Sequence, residues 1–400
     1  MADNHKTLRQ MLGHGIDEEE KRYPLQTLKD NVALLTPEVL DRINHVVVQS
    51  GHNLVRKKKD EVLRGRCDSV VVETNVHFPT DINLLYDATR KVIELIARAC
   101  AGAGLMAWRQ SRHNLRSVKR SYRNVQNLKR STSRAADKKA QAEQRIKEAH
   151  RAYVALAGEF VDRAEQTMHE LRAASPELKT EALLLEIEGF VRHARRQMEQ
   201  ITRRVLGGET ISHEEKVFSL FEPHTDWICK GKAGVPQELG LRVGIVEDQY
   251  QFILHYRVME KETDDKVAAP MVRATQARFP DFKMCSFDKG YYSSENKAAL
   301  SAMLERVVMP KKGKLSRKDK QDEQSEEFVR MRRQHSAVES AINALENHGF
   351  DRCPDHGIYG FKRYVSLAVL ARNLQRLGHI IQQNELKRQA RRERYPLQAA

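Results

Sequence analysis

The chain has 400 residues, 40% of them hydrophobic and 31% charged, with a formal net charge of +15 at pH 7. That balance excludes a disordered tail and leaves room for two or three domains with at least one large core. The positive excess points to a polyanionic partner, nucleic acid first. No apolar run approaches the roughly 20 residues that span a bilayer, and the N-terminus lacks the order of a signal peptide, so a cytoplasmic location is expected. The five cysteines, Cys67, Cys100, Cys229, Cys285 and Cys353, are odd in number and widely spaced, which suits reduced structural thiols better than a zinc site.

Residues 1–60 read as an N-terminal helical segment with one clear helix, capped by Thr36, started at Pro37, carrying Val39, Ile43, Val46 and Val47 on one face and ended by Gly51; the rest reads as connector. Val70, Val71, Val72, Thr74 and Val76 read as a strand with Asp68 at its entrance. From 81 to 206 strand signals give way to Ala, Arg, Glu, Lys and Gln. Spacings of three and four from Ile146 to Leu171, and from Leu183 to Val205 after Ser175 and Pro176, predict two long antiparallel helices. An internal hairpin is favoured over a coiled coil between chains because Ser175-Pro176 supplies a turn.

After Gly207-Gly208, Leu239 to Val246 and Phe252 to Val258 predict a β-hairpin turning near Glu247 and Asp248. A helix over 270–278, a strand over 284–287, a helix over 295–305 and a short strand at Val307-Val308 follow, then helices over 324–346 and 361–383 and a basic tail over 384–400. The fold class is therefore α/β, a mixed sheet flanked by helices, with residues 61–80 and 207–383 forming one domain around an all-helical insertion, 81–206. Cys353 and His356 lack zinc partners and read as a loop before the last helix.

Three acids stand out by position: Asp68 and Asp288 at strand ends, and Glu339 in a basic helix behind Arg332, Arg333 and His335. An Asp at a strand end is most often a turn former or cap. Here Gly290 permits a tight turn after Asp288 and Ser293 can cap the next helix, which delivers a carboxylate to a sheet edge. Glu346 shares the face of Glu339 and is its rival. Phosphoryl transfer on DNA needs two hard cations about 4 Å apart, and a few carboxylates from separate elements suffice to hold them.

The stretch Arg66-Cys67-Asp68-Ser69-Val70-Val71-Val72-Glu73-Thr74-Asn75 with Phe78-Pro79-Thr80-Asp81, then Phe287-Asp288-Lys289-Gly290-Tyr291, then Val338-Glu339-Ser340-Ala341-Ile342-Asn343-Ala344-Leu345 with Ala371-Arg372-Asn373-Leu374 resembles, in order, the three catalytic blocks of bacterial insertion-sequence DDE transposases. The resemblance implies a ribonuclease H-like core, Asp68, Asp288 and Glu339 as catalytic metal ligands, Mg2+ as cofactor with Mn2+ as substitute, and double-stranded DNA, both transposon ends and target, as partner of a homo-oligomer. Many relatives carry Arg four residues before the glutamate and Lys seven after it, where this chain has His335 and Glu346. The short stretch ahead of Asp68 implies that part of the family's N-terminal DNA-binding region is missing.

Eleven Lys or Arg and a single acid lie between Arg109 and Lys139, with Trp108 and Tyr122 interleaved. That imbalance favours phosphate contact through Arg112, Arg116, Lys119, Arg120 and Arg123. Lys311, Lys312 and Lys314 form a second basic segment, and Arg332, Arg333 and His335 a third, all expected to hold the DNA backbone without reading sequence. The competing readings are a non-catalytic DNA-binding or architectural protein, which charge alone fits, and a simple metal-dependent nuclease.

Overall fold

The computed structural model describes residues 6–11, 13–14, 22–58, 60–129, 136–174, 177–229 and 237–394. They fall into two compact units, Met1–Asn75 with Asp226–Ala400, and Val76–Thr225. In the first, helices α1 (Lys6–Met11), α2 (Leu25–Leu34) and α3 (Pro37–Leu54) lead into strand β1 (Leu63–Thr74). The chain then runs through helices α4 (Asp81–Gly102), α5 (Ser111–Lys129), α6 (Ala136–Ala174) and α7 (Leu178–Ile201) of the second unit. It returns with β2 (Asp226–Cys229), β3 (Gln237–Asp248), β4 (Ile253–Met259), α8 (Asp264–Arg278), β5 (Phe282–Phe287), α9 (Ser294–Met303) and β6 (Arg306–Val308). Helices α10 (Arg317–Glu323), α11 (Glu326–His335) and α12 (Ala337–Leu345), strand β7 (Arg352–Cys353) and helix α13 (Gly357–Arg394) complete it.

The first unit is built on a mixed sheet with β1 at its centre. On one edge β1 pairs antiparallel with β3, from Gly65↔Asp248 to Glu73↔Gly240; on the other it pairs parallel with β5 and, near its end, with β7. β3 also pairs antiparallel with β2 and β4, and β5 pairs parallel with β6. Val70, Val71 and Val72 are all buried, as a strand covered on both faces requires. Leu63 and Cys67 pack with Val267 and Met271 of α8, Phe282 of β5 and Leu300 of α9. On the opposite face Val70 and Val72 pack with Val338 and Leu345 of α12 and Phe361 and Val365 of α13. Side chains two apart share a face, so Asp68 lies on the α12 side.

Several boundaries differ from the sequence expectation. β1 starts at Leu63, ahead of its β-branched run, because Leu63, Gly65 and Cys67 already alternate into the core; Asp68 therefore lies within the strand and not at its entrance. Thr36 does cap α3, accepting from the Val39 N–H at 3.2 Å, but the buried face is Leu40, Asn44, Val47 and Val48, and Ile43 and Val46 are exposed. Gly51 does not end α3; a Cβ there would stand 2.1 Å from the Phe252 ring, so glycine lets helix and β4 approach. The helix over 270–278 begins earlier, at Asp264, with Pro270 inside it. The segment expected as one helix over 324–346 breaks at Ser336 into α11 and α12, and α13 runs on to Arg394, through part of the expected tail.

Asn373 of α13 joins three elements. Its Oδ1 accepts from the Ile253 N–H at 2.9 Å, while its Nδ2 donates to the Ile253 carbonyl at 2.9 Å and to Asn44 Oδ1 of α3 at 2.7 Å. Leu40 and Val47 of α3 pack beside it on Leu370.

The second unit is helical where described: α4, α5, α6 and α7 share one core containing Ile93, Ile96, Trp108, Val118, Tyr153, Val161, Ile187 and Ala194. The two expected helices correspond to α6 and α7, joined by α4 and α5; the expected turn at Ser175-Pro176 lies outside the described residues. Trp108 belongs to the core, 2% exposed, with its indole N–H donating to Thr167 Oγ1 at 3.0 Å. It is therefore no part of the basic face.

Candidate active site

Cys67 and Phe287 are register partners on the parallel strands β1 and β5. The next residues, Asp68 within β1 and Asp288 just past the end of β5, thus stand side by side. At Asp288 the chain turns at once into the short helical turn Lys289–Tyr291, with the Gly290 N–H 3.5 Å from the Asp288 carboxylate, and Ser293 then caps α9 by accepting from the Asn296 N–H at 3.1 Å.

Glu339 is reached through α12. Val338 buries itself among the β1 and β3 side chains on the face that carries Asp68, and Glu339, exposed, follows it directly. Glu346 lies seven residues on, about 10 Å farther along at the helical rise. It caps the C-terminal end of α12.

Burial pushes the Asp68 carboxyl up to about 6, opposed by a hydrogen bond from the Ser69 N–H, and the negative charges of Asp288, Asp264 and Glu339 push it further. Four carboxylates from β1, the β5 turn, α8 and α12 therefore share one electrostatic field. Sequence patterning does not single out Asp264, which falls ahead of the helix read over 270–278; the structure puts it in the first turn of α8. A Cβ built on Gly290 would lie 3.5 Å from Asp264 Oδ2 and 3.7 Å from Asp288 Oδ2, which places Gly290 between the two groups. Asp264 is bound by Arg242 Nη1 at 3.1 Å. By contrast, among the described residues no ion pair neutralises Asp68, Asp288 or Glu339.

Uncompensated carboxylates from separate elements are a donor set that fits a hard divalent cation. Among the described residues no three His, Cys, Asp or Glu side chains close on a single point as a ready cage. The arrangement is an open group of acids, which leaves coordination positions for water and phosphate.

His335 and Arg66 lie just behind these acids. His335 Nδ1 is 2.9 Å from Ser286 Oγ, and burial holds its imidazole down at about 4, so it is neutral at physiological pH. Arg66, two residues before Asp68, reaches Glu247 at 3.2 Å and the Gln334 carbonyl at 3.3 Å. Glu247 is 1% exposed, and burial raises its carboxyl to about 7 against the pull of Arg66.

Of the other basic candidates, Arg112, Arg116, Lys119, Arg120 and Arg123 are all exposed on α5, opposite its buried Asn114, Val118 and Val125. None takes part in an ion pair among the described residues. Lys312 donates to the Gly290 carbonyl at 2.8 Å, beside Asp288. Lys311 is tied to Asp319 at 2.6 Å, whereas Lys314, Arg332 and Arg333 are exposed.

Residues 221–374 match the family model of the transposase DDE domain. The chain carries a transposase DDE domain. No curated protein and no solved structure matches the chain. The matched segment of the DDE domain holds Asp264, Asp288 and Glu339 but begins after Asp68. Its sheet is completed by β1, since β3 and β5 both hydrogen-bond to that strand. DDE transposases act on DNA and generally use divalent metal ions. Among the described residues no helix is long and apolar enough to cross a membrane.

Proposed function

We propose that the chain is a cytoplasmic, bacterial insertion-sequence transposase that cleaves DNA strands at transposon ends and transfers the freed 3′ hydroxyl into target DNA. The observation that carries this reading is the side-by-side placing of Asp68, within β1, and Asp288, at the end of the adjacent parallel β5, with Glu339 acting on Asp68 from the helix packed beside them. The antiparallel β1–β3–β4 set continued by parallel β5 and β6 supports a ribonuclease H-like core. Residues 81–206 are then a helical insertion within it.

Asp68, Asp288 and Glu339 would hold Mg2+, with Mn2+ as a substitute. Bound there, divalent ions supply a lowered pKa for attacking water and charge neutralisation at the scissile phosphate. Asp264, bound by Arg242 through Oδ2, adds to the negative potential at Asp68. Lys312, Lys314, Arg332 and Arg333 hold the DNA backbone near the reacting phosphate, and the free basic face of α5 holds it elsewhere. Water and then the 3′ hydroxyl act as nucleophile, and no Ser or Tyr is needed for a covalent intermediate. Joining two ends calls for a homo-oligomer on DNA.

The test uses a plasmid carrying the coding sequence with its native flanks, incubated with purified protein and Mg2+. Cleaved ends bearing 3′ hydroxyls and insertion products are expected with the wild type and absent with Asp68→Asn, Asp288→Asn and Glu339→Gln, all three still binding DNA. Wild-type activity in Asp68→Asn would overturn the site. DNA binding without any cleavage by the wild type would favour an architectural protein, and cleavage without joining a simple nuclease.

A further inference from the structure

Glu339 is exposed and has no hydrogen-bond partner among the described residues, so its place relative to Asp68 and Asp288 must be set by the backbone that carries it. That backbone is a break between two short helices: Ser336 is the C-cap of α11 and the N-cap of α12. Apolar contacts locate both helices, through Phe328 and Met331 on Val308 and through Val338 on Val70 and Val72, but such contacts are non-directional and tolerate sliding. Arg306 of β6 holds the far end of α11, at Ser325 by 3.3 Å and Glu327 by 3.4 Å, whereas at the junction the bonds from the sheet come from a single rung. Arg66 and Ser286 are register partners on β1 and β5, one on each strand, two residues before Asp68 and Asp288 respectively.

Both partners of that rung grip the same junction. Arg66 Nη1 donates to the carbonyl of Gln334 at 3.3 Å, and Ser286 Oγ lies 2.9 Å from Nδ1 of His335. Each is itself held: the Arg66 guanidinium by the Glu247 carboxylate at 3.2 Å and by the Asp248 carbonyl, and Ser286, 2% exposed, by the Gly65 carbonyl at 3.4 Å. We propose that Arg66 and Ser286 form a clamp that sets Glu339 against Asp68 and Asp288 by gripping Gln334 and His335 at the α11–α12 junction. Arg66, Ser286 and His335 are then positioning residues, which touch neither substrate nor metal. The rung that aligns the two aspartates also fixes the glutamate, because all three carboxylates are measured from the same pair of strands.

The inference rests on the reading of the three acids as metal ligands, and the test keeps the two apart. Mn2+ alone is titrated into the purified full chain, with free Mn2+ read by electron paramagnetic resonance, and metal-free thermal unfolding is followed in parallel. His335→Phe and Ser286→Ala are expected to weaken Mn2+ binding about tenfold or more, as removal of a group supporting a metal ligand does, with the metal-free unfolding midpoint nearly unchanged. The double variant should bind no more weakly than either single one, because both remove the same bond. His335→Asn, which keeps a polar atom at the Nδ1 position, should recover most of the affinity, and Arg66→Lys, which cannot reach both carbonyls from one planar group, should not keep it. Wild-type affinity in His335→Phe and Ser286→Ala, with Asp68→Asn weakened, would overturn the clamp and leave the site standing. Wild-type affinity in Asp68→Asn would remove the site and the clamp with it. Should Arg66 variants fail to fold, His335→Phe and Ser286→Ala decide the matter.

Discussion

Asp68 and Asp288 follow register partners on parallel neighbouring strands, so two like charges are held together without a cationic side chain between them. Such a site costs stability until a cation occupies it. Asp68 has its folded pKa raised to about 6 from an ordinary 3.8, so the folded state binds more protons between those values and loses stability as pH rises through them. Asp68→Asn is therefore expected to stabilise the metal-free protein above pH 6, by about 1 to 2 kcal/mol after allowance for its partial exposure. Added Mn2+ should raise the melting temperature of the wild type and leave Asp68→Asn nearly unmoved. Thermal unfolding with and without Mn2+ checks both, and a less stable metal-free Asp68→Asn would count against the repulsion.

Asn373 satisfies both backbone groups of Ile253 and binds Asn44 inside the fold, where no water can replace it. Asn373→Leu should cost about 2 to 4 kcal/mol, because it strands the buried Ile253 N–H and the Asn44 Oδ1 and leaves the Ile253 carbonyl only the longer bond from Asn44 Nδ2, at 3.3 Å. Asn44→Leu in that background should cost less than it does alone, a coupling that chemical denaturation of the double-mutant cycle would measure.

Gly51 faces the Phe252 ring so closely that a methyl group cannot be added without moving one of them. Gly51→Ala is expected to destabilise by about 1 to 3 kcal/mol despite the better helix propensity of alanine. Trimming the ring with Phe252→Leu should make the same change less harmful. If Gly51→Ala instead stabilises, α3 is not held against β4 at this point.

The features that local chemistry dictates were legible. Thr36 and Ser293 cap the helices that follow them, and Val70 to Val72 mark a buried strand. What was not legible depended on distant partners. Gly51 reads as a helix stop and instead admits an aromatic ring 201 residues later in the chain, 252 − 51. Asp264 falls ahead of the helix read over 270–278, and nothing near it in the sequence marks it until the sheet brings the Asp288 turn to it. Ser336 carries no breaking signal, since neither Gly nor Pro interrupts the pattern, and the break shows only when Arg66 and Ser286 meet the residues before it. Lys311 reads as a free cation because its partner, Asp319, is brought back by a turn at Gly313, φ +85°, and by the Ser316 cap.

His255 on β4 is kept neutral mainly by burial, with Arg278 adding repulsion, and its pKa falls to about 4 from an ordinary 6.5. The unfolded chain takes up the proton first, so this group contributes stability above pH 6.5 that is lost as pH falls toward 4. His255→Gln should flatten the acid limb of the stability curve over that window. The comparison is made by urea unfolding at several pH values, and an unchanged slope would mean that His255 is protonated in the fold.

The exposed face of α5 offers the cleanest separation between DNA holding and chemistry. Arg116, Lys119, Arg120 and Arg123 lie on its solvent side, while Val118 and Val125 hold the helix from the other, so replacing the four with Gln should leave folding intact. Each phosphate that the variant no longer neutralises should reduce the dependence of log affinity on log salt by about 0.9. If all four side chains touch duplex DNA, the slope drops by roughly 3 to 4, and the fall in affinity is similar for unrelated sequences because phosphates carry no sequence information. Mn2+ binding at the acids should be unaffected, since the metal-free fold and the four carboxylates remain. Salt titrations of duplex binding by wild type and the fourfold variant decide it. An unchanged slope would mean that the positive face serves something other than DNA, and the basic residues around Asp288 would then have to account for duplex binding by themselves.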